Sequence, residues 1–289
     1  MKMKLNKEQF RGSMLVLPLF IGSMIFYFIP FCMVLRYSMR SSAGRNASFV
    51  GLSNYMDLVQ NEMFQLAYGN TMRFLAIGLP LILLLSYLIA IVLKSSAEQY
   101  KFLKAILLFP YVMPIVGTLL LVELLFVKNG AVNSLLVMMG FPVQDWLESP
   151  VAFVVVLILY LWKNTGYSVV LLLSGLMTIP DEQYAVANLD GAGHWQSFRY
   201  ITMPQMWYSV FFAFLFSLIN AFKCFREIFL IGGKHPNTNI YMLQHFLNNS
   251  FENLNYNKLS VASILFFIPI TLVLGIAYGW VRKKEEYKG

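Results

Sequence analysis

Residues 151–176 read VAFVVVLILYLWKNTGYSVVLLLSGL, and residues 177–205 continue as MTIPDEQYAVANLDGAGHWQSFRYITMPQ. The first stretch is apolar for long enough to cross a bilayer, whose core of about 30 Å takes about 20 helical residues. The second stretch is too polar to cross and too rich in helix formers to be a slack loop. Thr178 offers an N-cap, with Pro180 and Asp181 in a first turn. The Asp181–Glu182 charges would stabilise that helix N-terminus. Glu182 through Leu189 favours helix. Asp190-Gly191 breaks it, because glycine accepts a backbone conformation that a side chain opposes. Ala192 to Thr202 can resume helix as far as Pro204. The prediction is a membrane helix followed by a short helix, a glycine turn and a second short helix.

The rest of the chain repeats the first pattern. Of 289 residues, 58% are apolar and 12% charged, and mean hydropathy is +0.62. A soluble fold of this size cannot hide so much apolar surface. Six segments are long enough to span: Met14–Leu35, Phe74–Leu93, Ala105–Phe126, Val151–Leu176, Met206–Phe222 and Ser260–Val281. They must be helices, because backbone groups in lipid have to satisfy one another locally. Period-2 segments of barrel type are absent. The expected fold is therefore an all-α polytopic membrane protein, one domain over residues 1–289, with the polar loop at 178–204.

Net charge is +8. We read it as basic residues flanking spans rather than as a nucleic-acid surface. Lys2, Lys4, Lys7 and Arg11 precede the first span as in a signal peptide, but the apolar run is too long and no A-x-A site follows it. Lys and Arg are about twice as dense in the segments before span one, between spans two and three, between four and five, and after six. Those segments, including both termini and the 178–204 loop, are expected to be cytoplasmic. Cys32 and Cys224 lack metal-ligand spacing and read as free or packing thiols, with a disulfide left open. His194, His235 and His245 also lack metal spacing and read as ordinary polar residues.

The segment Tyr184-Ala185-Val186-Ala187-Asn188-Leu189-Asp190-Gly191-Ala192, with Trp195, Phe198, Ile201 and Pro204 behind it, resembles the EAA loop. That loop marks the permease subunits of binding-protein-dependent ABC importers. The Asp-Gly-Ala, Phe, Ile and Pro elements match at their offsets. The family's Glu falls on Ala185 and its first Ala on Val186, so a contact normally made by that Glu is absent or supplied elsewhere, with Glu182 a candidate. Further segments are similar to sugar permeases. They are Phe49–Tyr55, Phe109-Pro110 with Pro114, Gly130 with Asn133, Trp146-Leu147, Gly232-Gly233 with Pro236 and Thr238, and Tyr256–Ser263. Lys234-His235 is inserted before Pro236, and Asn257, Lys258 and Leu259 replace the family's Gly, Tyr and Ala.

The resemblance implies a bacterial inner-membrane permease moving a sugar or oligosaccharide. It implies a second permease subunit, two cytosolic ATPases that bind ATP and Mg, and an extracellular or periplasmic solute-binding protein. This chain has no G-x-x-x-x-G-K-[ST] phosphate loop. No nucleophile–base pair or carboxylate dyad points to catalysis, so we expect no enzyme, no cofactor and no metal site. Tyr184, Ala185, Val186, Ala187, Asn188, Asp190, Gly191, Ala192 and Pro204 are the expected ATPase-coupling residues. Polar groups inside spans mark candidate pathway positions: Lys163, Asn164, Tyr167 and Asn220. For Lys163 the alternative is pairing with an acid or carbonyl on a neighbouring subunit, and for Gly166 close helix packing. Glu123 and Lys223 read as interfacial. The competing function is an ion-coupled carrier acting without an ATPase, against which stands the lack of inverted repeats.

Overall fold

The computed structural model describes residues 7–42, 44, 47–94 and 100–286. Lys2, Lys4 and residues 95–99, between the expected second and third spans, lie outside them. The elements are α1 (Lys7–Ser23), α2 (Ile29–Ser38), α3 (Ser53–Val59), α4 (Glu62–Lys94), α5 (Tyr100–Val112), α6 (Ile115–Phe126), α7 (Ala131–Met138) and α8 (Ala152–Met177). They continue as α9 (Asp181–Leu189), α10 (His194–Ser197), α11 (Met203–Lys223), α12 (Phe225–Gly232), α13 (Leu243–Glu252) and α14 (Tyr256–Glu286). Among the described residues the only extended pairing is one antiparallel bridge, Arg40 with Phe49.

Among the described residues, six helical segments are long and apolar enough to cross a membrane: Met14–Ser38, Glu62–Lys94, Ile115–Met138, Ala152–Met177, His194–Gly232 and Tyr256–Lys283. The all-α membrane fold therefore stands, and three details of the expectation are corrected. The expected third span is broken: α5 ends at Val112, and Pro114, in an extended conformation with ψ 149°, starts α6. A proline has no N–H to carry the helix through that point. Thr178 does not cap α9. Its hydroxyl donates to Gly175 O at 2.7 Å and so closes the end of α8, while Pro180 takes the N-cap position of α9. Pro204 does not end the second loop helix either. A π turn over Phe198–Thr202 joins α10 to α11 without a gap. A π turn over Met24–Phe28 likewise precedes Pro30 in α2. In both places the wider turn tolerates a carbonyl that the proline leaves without its donor.

The chain forms two compact units, and each is described alone. One holds residues up to Phe64 together with Leu247–Pro269. In it no residue from Met14 to Tyr37 is buried, as expected of a helix facing lipid or a partner. The Phe49–Tyr55 motif acts as a clasp. Asn54 donates to Ser38 O and Arg40 O, both at 2.8 Å, and Tyr55 donates to Ser38 Oγ at 2.8 Å.

The other unit holds Gln65–Phe246 and the residues from Ile270 onward. Its centre is α8, which packs on α11 and α5. Tyr160, fully buried, donates to Ser217 O at 2.9 Å, and Ser168 and Ser217 share a hydrogen bond at 3.1 Å. Gly166 permits the approach of α5: an added Cβ would sit 1.8 Å from Leu107 O. Asn133 ties the loop after α6. Its amide donates to Lys128 O and Gln144 O, and its oxygen accepts from Gln144 N and Trp146 Nε1. Cys32 and Cys224 are both free.

Candidate functional site

Two sites follow from this frame. The first is the loop that carries α9. Gly191 has φ +79°, and the hydrogen bonds around it form a closed helix stop: Ala192 N–H donates to Ala187 O at 2.9 Å and Gly191 N–H to Asn188 O at 3.1 Å. This pairing satisfies carbonyls that the last helical turn would otherwise leave bare. Past the turn, the Gln196 side chain accepts the Gly193 N–H at 2.8 Å and starts the next helix.

The helix is held at its base and open along its outer side. Asp181 pairs with Lys94 at 3.0 Å, and the Lys94 ammonium lies 4.8 Å above the Tyr184 ring. Tyr184 shares a 2.9 Å hydrogen bond with Thr202. Ala185, Val186, Asn188, Asp190 and Gly191 are exposed, while Tyr184, Ala187, Ala192 and Pro204 are half-buried. Val186, Leu189 and Trp195 are 58%, 88% and 71% exposed, and the Trp195 ring leans on Phe198 with centroids 5.4 Å apart. Glu182 is exposed in the first turn.

The second site is a cavity of about 450 Å³ between α8, the α11–α12 pair and the break between α5 and α6 at Tyr111–Ile115. Lys163, near the middle of α8, reaches Glu227 of α12 at 2.5 Å, with side chains only 14% and 8% exposed. Removing two charges from water is costly unless they meet, and here they do. Asn164 and Asn220 also line the cavity, and Asn164 donates to Tyr160 O at 2.8 Å. Three of the four expected pathway residues thus meet. Tyr167 does not line the cavity; it stacks on Tyr111, which does, with ring centroids 4.8 Å apart, and meets Phe216 edge-on. Lys163 finds its acid within its own chain. Lys223, expected at the interface, lines the cavity, and Glu123 is exposed on α6.

Sequence reasoning missed Glu227 and Arg226, both in the lining. A hydropathy reading ends the fifth span at Phe222. The signal was nevertheless present, because Asn220, Lys223, Cys224 and Glu227 fall at offsets of three, four and seven and share one helical face.

His245 is the other polar group that sequence spacing did not mark. It is fully buried, its Nδ1 accepts the Met242 N–H at 3.1 Å, and its Nε2 has no hydrogen-bond partner among the described residues. Phe225 and Tyr241 pack against its ring. Burial holds its pKa down at about 4, against an ordinary 6.5.

Residues 82–287 match the family described as binding-protein-dependent transport system inner membrane component. The chain is 29% identical over 244 residues to a probable ABC transporter permease protein of Pyrococcus horikoshii, covering 82% of this chain and 83% of that one. It is 27% identical to the trehalose/maltose transport system permease protein MalF of Thermococcus litoralis, covering 96% and 94%. Among solved structures it superimposes with a TM-score of 0.80 on a chain of a bacterial alginate ABC transporter in complex with an alginate pentasaccharide-bound periplasmic protein. Coverage there is 96% of both chains, and identity is 20%.

Proposed function

Because the chain belongs to the binding-protein-dependent transport system inner membrane component family, and so is a permease subunit of an ABC importer, we propose that it moves a saccharide and converts ATPase closure into helix movement through α9. The chain works with a second permease subunit, two cytosolic ATPases that hold ATP and Mg, and an external solute-binding protein. Both termini and α9 face the cytoplasm. The trehalose/maltose name of one relative and the saccharide complex of a structural neighbour support the solute class.

The observation that carries the coupling role is the form of α9. A helix stopped by the Gly191 turn is pinned at Asp181 and Tyr184, while Val186 and Leu189 stand out at 58% and 88% exposure. A partner's cleft can cover those side chains, and a push on a pinned helix passes to α8 and α11 rather than being absorbed by slack chain. A membrane domain with two states, each favoured by different partners, then gives alternating access. Lys163, Asn164, Asn220 and Glu227 line the solute path.

The test is purification from native membranes with a tag on this chain. ATPase subunits should co-purify, and Leu189→Asp together with Val186→Asp should release them while the remaining protein stays monodisperse. Leu189→Cys, in a chain with Cys32 and Cys224 replaced, should react with an impermeant maleimide only in inside-out vesicles. Labelling from the outside, or solute accumulation by the chain alone on an ion gradient, would overturn the proposal.

A further inference from the structure

We infer that the transported solute carries an anionic group, a carboxylate, sulfonate or phosphate on its sugar frame, and that Lys223 and Arg226 receive it. The inference rests on the reading of the α8–α12 cavity as part of the solute path, and it adds the charge class of the cargo.

The cavity is lined by three cations, Lys163, Lys223 and Arg226, and by one carboxylate, Glu227. Glu227 is already engaged by Lys163 at 2.5 Å, and both are nearly buried, so that pair is close to neutral as seen from the cavity. Lys223 and Arg226 remain. Neither has a carboxylate within ion-pair distance among the described residues, and both side chains are exposed. They lie three residues apart, across the junction of α11 and α12, inside the apolar segment His194–Gly232. Ionisable groups in such a segment are costly and are kept where they meet water, a partner charge or a ligand. Two like charges three residues apart across such a junction also repel each other, and an anion between them offsets that repulsion.

The rest of the lining fits a charged cargo better than a neutral one. Neutral sugars are held by aromatic platforms, and the cavity offers a single ring, Tyr111. Asn164 and Asn220 supply amides for hydroxyl groups. The Arg226 guanidinium supplies the planar fork that matches two oxygens of a carboxylate or phosphate, and Lys223 adds a point charge beside it. The Lys163–Glu227 pair keeps the one carboxylate from repelling the cargo. A phospholipid headgroup presents the same oxygen chemistry, so the test separates the two sources.

The experiment uses the importer complex purified from membranes and placed in nanodiscs of phosphatidylcholine alone, or of phosphatidylcholine with phosphatidylglycerol. Binding of maltotriose and of trigalacturonate is measured by titration calorimetry, with native mass spectrometry for retained lipid. The uronate should bind at least about tenfold more tightly than the neutral trisaccharide in both lipids. The preference should vanish in Lys223→Gln/Arg226→Gln and persist in Lys223→Arg/Arg226→Lys. Equal binding of the two sugars, binding of neither, or a preference untouched by the double Gln variant overturns the inference. So does phosphatidylglycerol retained by the parent complex and lost from the double Gln variant while uronate binding is unchanged. If maltotriose binds equally well and Asn164→Ala weakens it, the cavity remains a solute site and only the charge assignment fails. If none of these variants alters binding of either sugar, the cavity reading itself fails.

Discussion

The α9 loop carries its apolar side chains on the outside and is fixed only at its base, whereas the α8–α12 cavity carries its charges inside and sets them against each other. Leu189 is 88% exposed in the first region, and the Glu227 side chain is 8% exposed in the second. The contrast teaches where each region can be altered. If its exposed residues dock on a partner chain, as proposed, the loop should lose function with little loss of stability. The cavity should lose stability as soon as one charge is left alone, because its partner lies in this chain.

The largest effect therefore belongs to Glu227→Gln. It leaves Lys163 buried without its counter-charge, a change expected to cost about 3–5 kcal/mol. Thermal unfolding in detergent should show this as a large drop in midpoint. The double variant Glu227→Leu/Lys163→Met should recover most of the loss, because the desolvation cost disappears with both charges. If Glu227→Gln alone leaves the midpoint where it was, the pair does not hold the helices together and the contrast collapses.

The same contrast governs what could be read from the sequence. The glycine turn was legible because it is local: Asp190-Gly191-Ala192 fixes its own backbone, and α9 ends one residue before it. Lys163, Asn164 and Asn220 were legible because a polar residue inside an apolar run stands out. Glu227 was missed because a hydropathy reading stops at Phe222 and Phe225–Gly232 is too short to register as a span by itself, although its offset of seven from Asn220 places it on the same helical face. Tyr167 went astray for a related reason. Whether it faces the cavity or Tyr111 is decided by how closely α5 approaches at Gly166, which no spacing within α8 can reveal. Thr178 was ambiguous in kind, since a hydroxyl between two helices can close the first or start the second, and here it bonds back to Gly175.

Gly191→Val comes next. With φ at +79°, a β-branched residue there is strained by about 1–2 kcal/mol, although no neighbouring atom lies within 4 Å of the added carbon. The spans should stay folded. Uptake by the assembled importer should fall while ATP hydrolysis continues, since the helix stop that fixes the end of α9 is lost. Unchanged uptake would mean that the loop does not act as a lever.

His245 offers a smaller effect with a definite sign. Its pKa is held down to about 4 by burial, so between that value and 6.5 the unfolded chain binds a proton that the folded chain does not. Its contribution is fully present above 6.5 and is lost as pH falls toward 4. The unfolding midpoint should decline from pH 7 to pH 5, and His245→Gln should flatten that slope. An unchanged slope in the variant would assign the acid sensitivity to other groups.

The smallest effect is expected at the base of α9, at Lys94. Its partner Asp181 is 86% exposed, so the ion pair contributes at most about 1 kcal/mol, and the ammonium over the Tyr184 ring adds about as much. Lys94→Met should thus shift the unfolding midpoint only slightly. It should matter more for coupling, because Lys94 is the last residue of α4 and ties that helix to the base of α9. An exposed pair is screened by salt, so the uptake of the parent importer should decline as ionic strength rises, and that of Lys94→Met should start lower and stay flat. Parallel salt curves for the two proteins would show that α9 is steered by its hydrogen bond to Thr202 and its packing alone. Tyr184→Phe, which removes that bond and keeps the ring beneath Lys94, would then be the variant that loosens the helix.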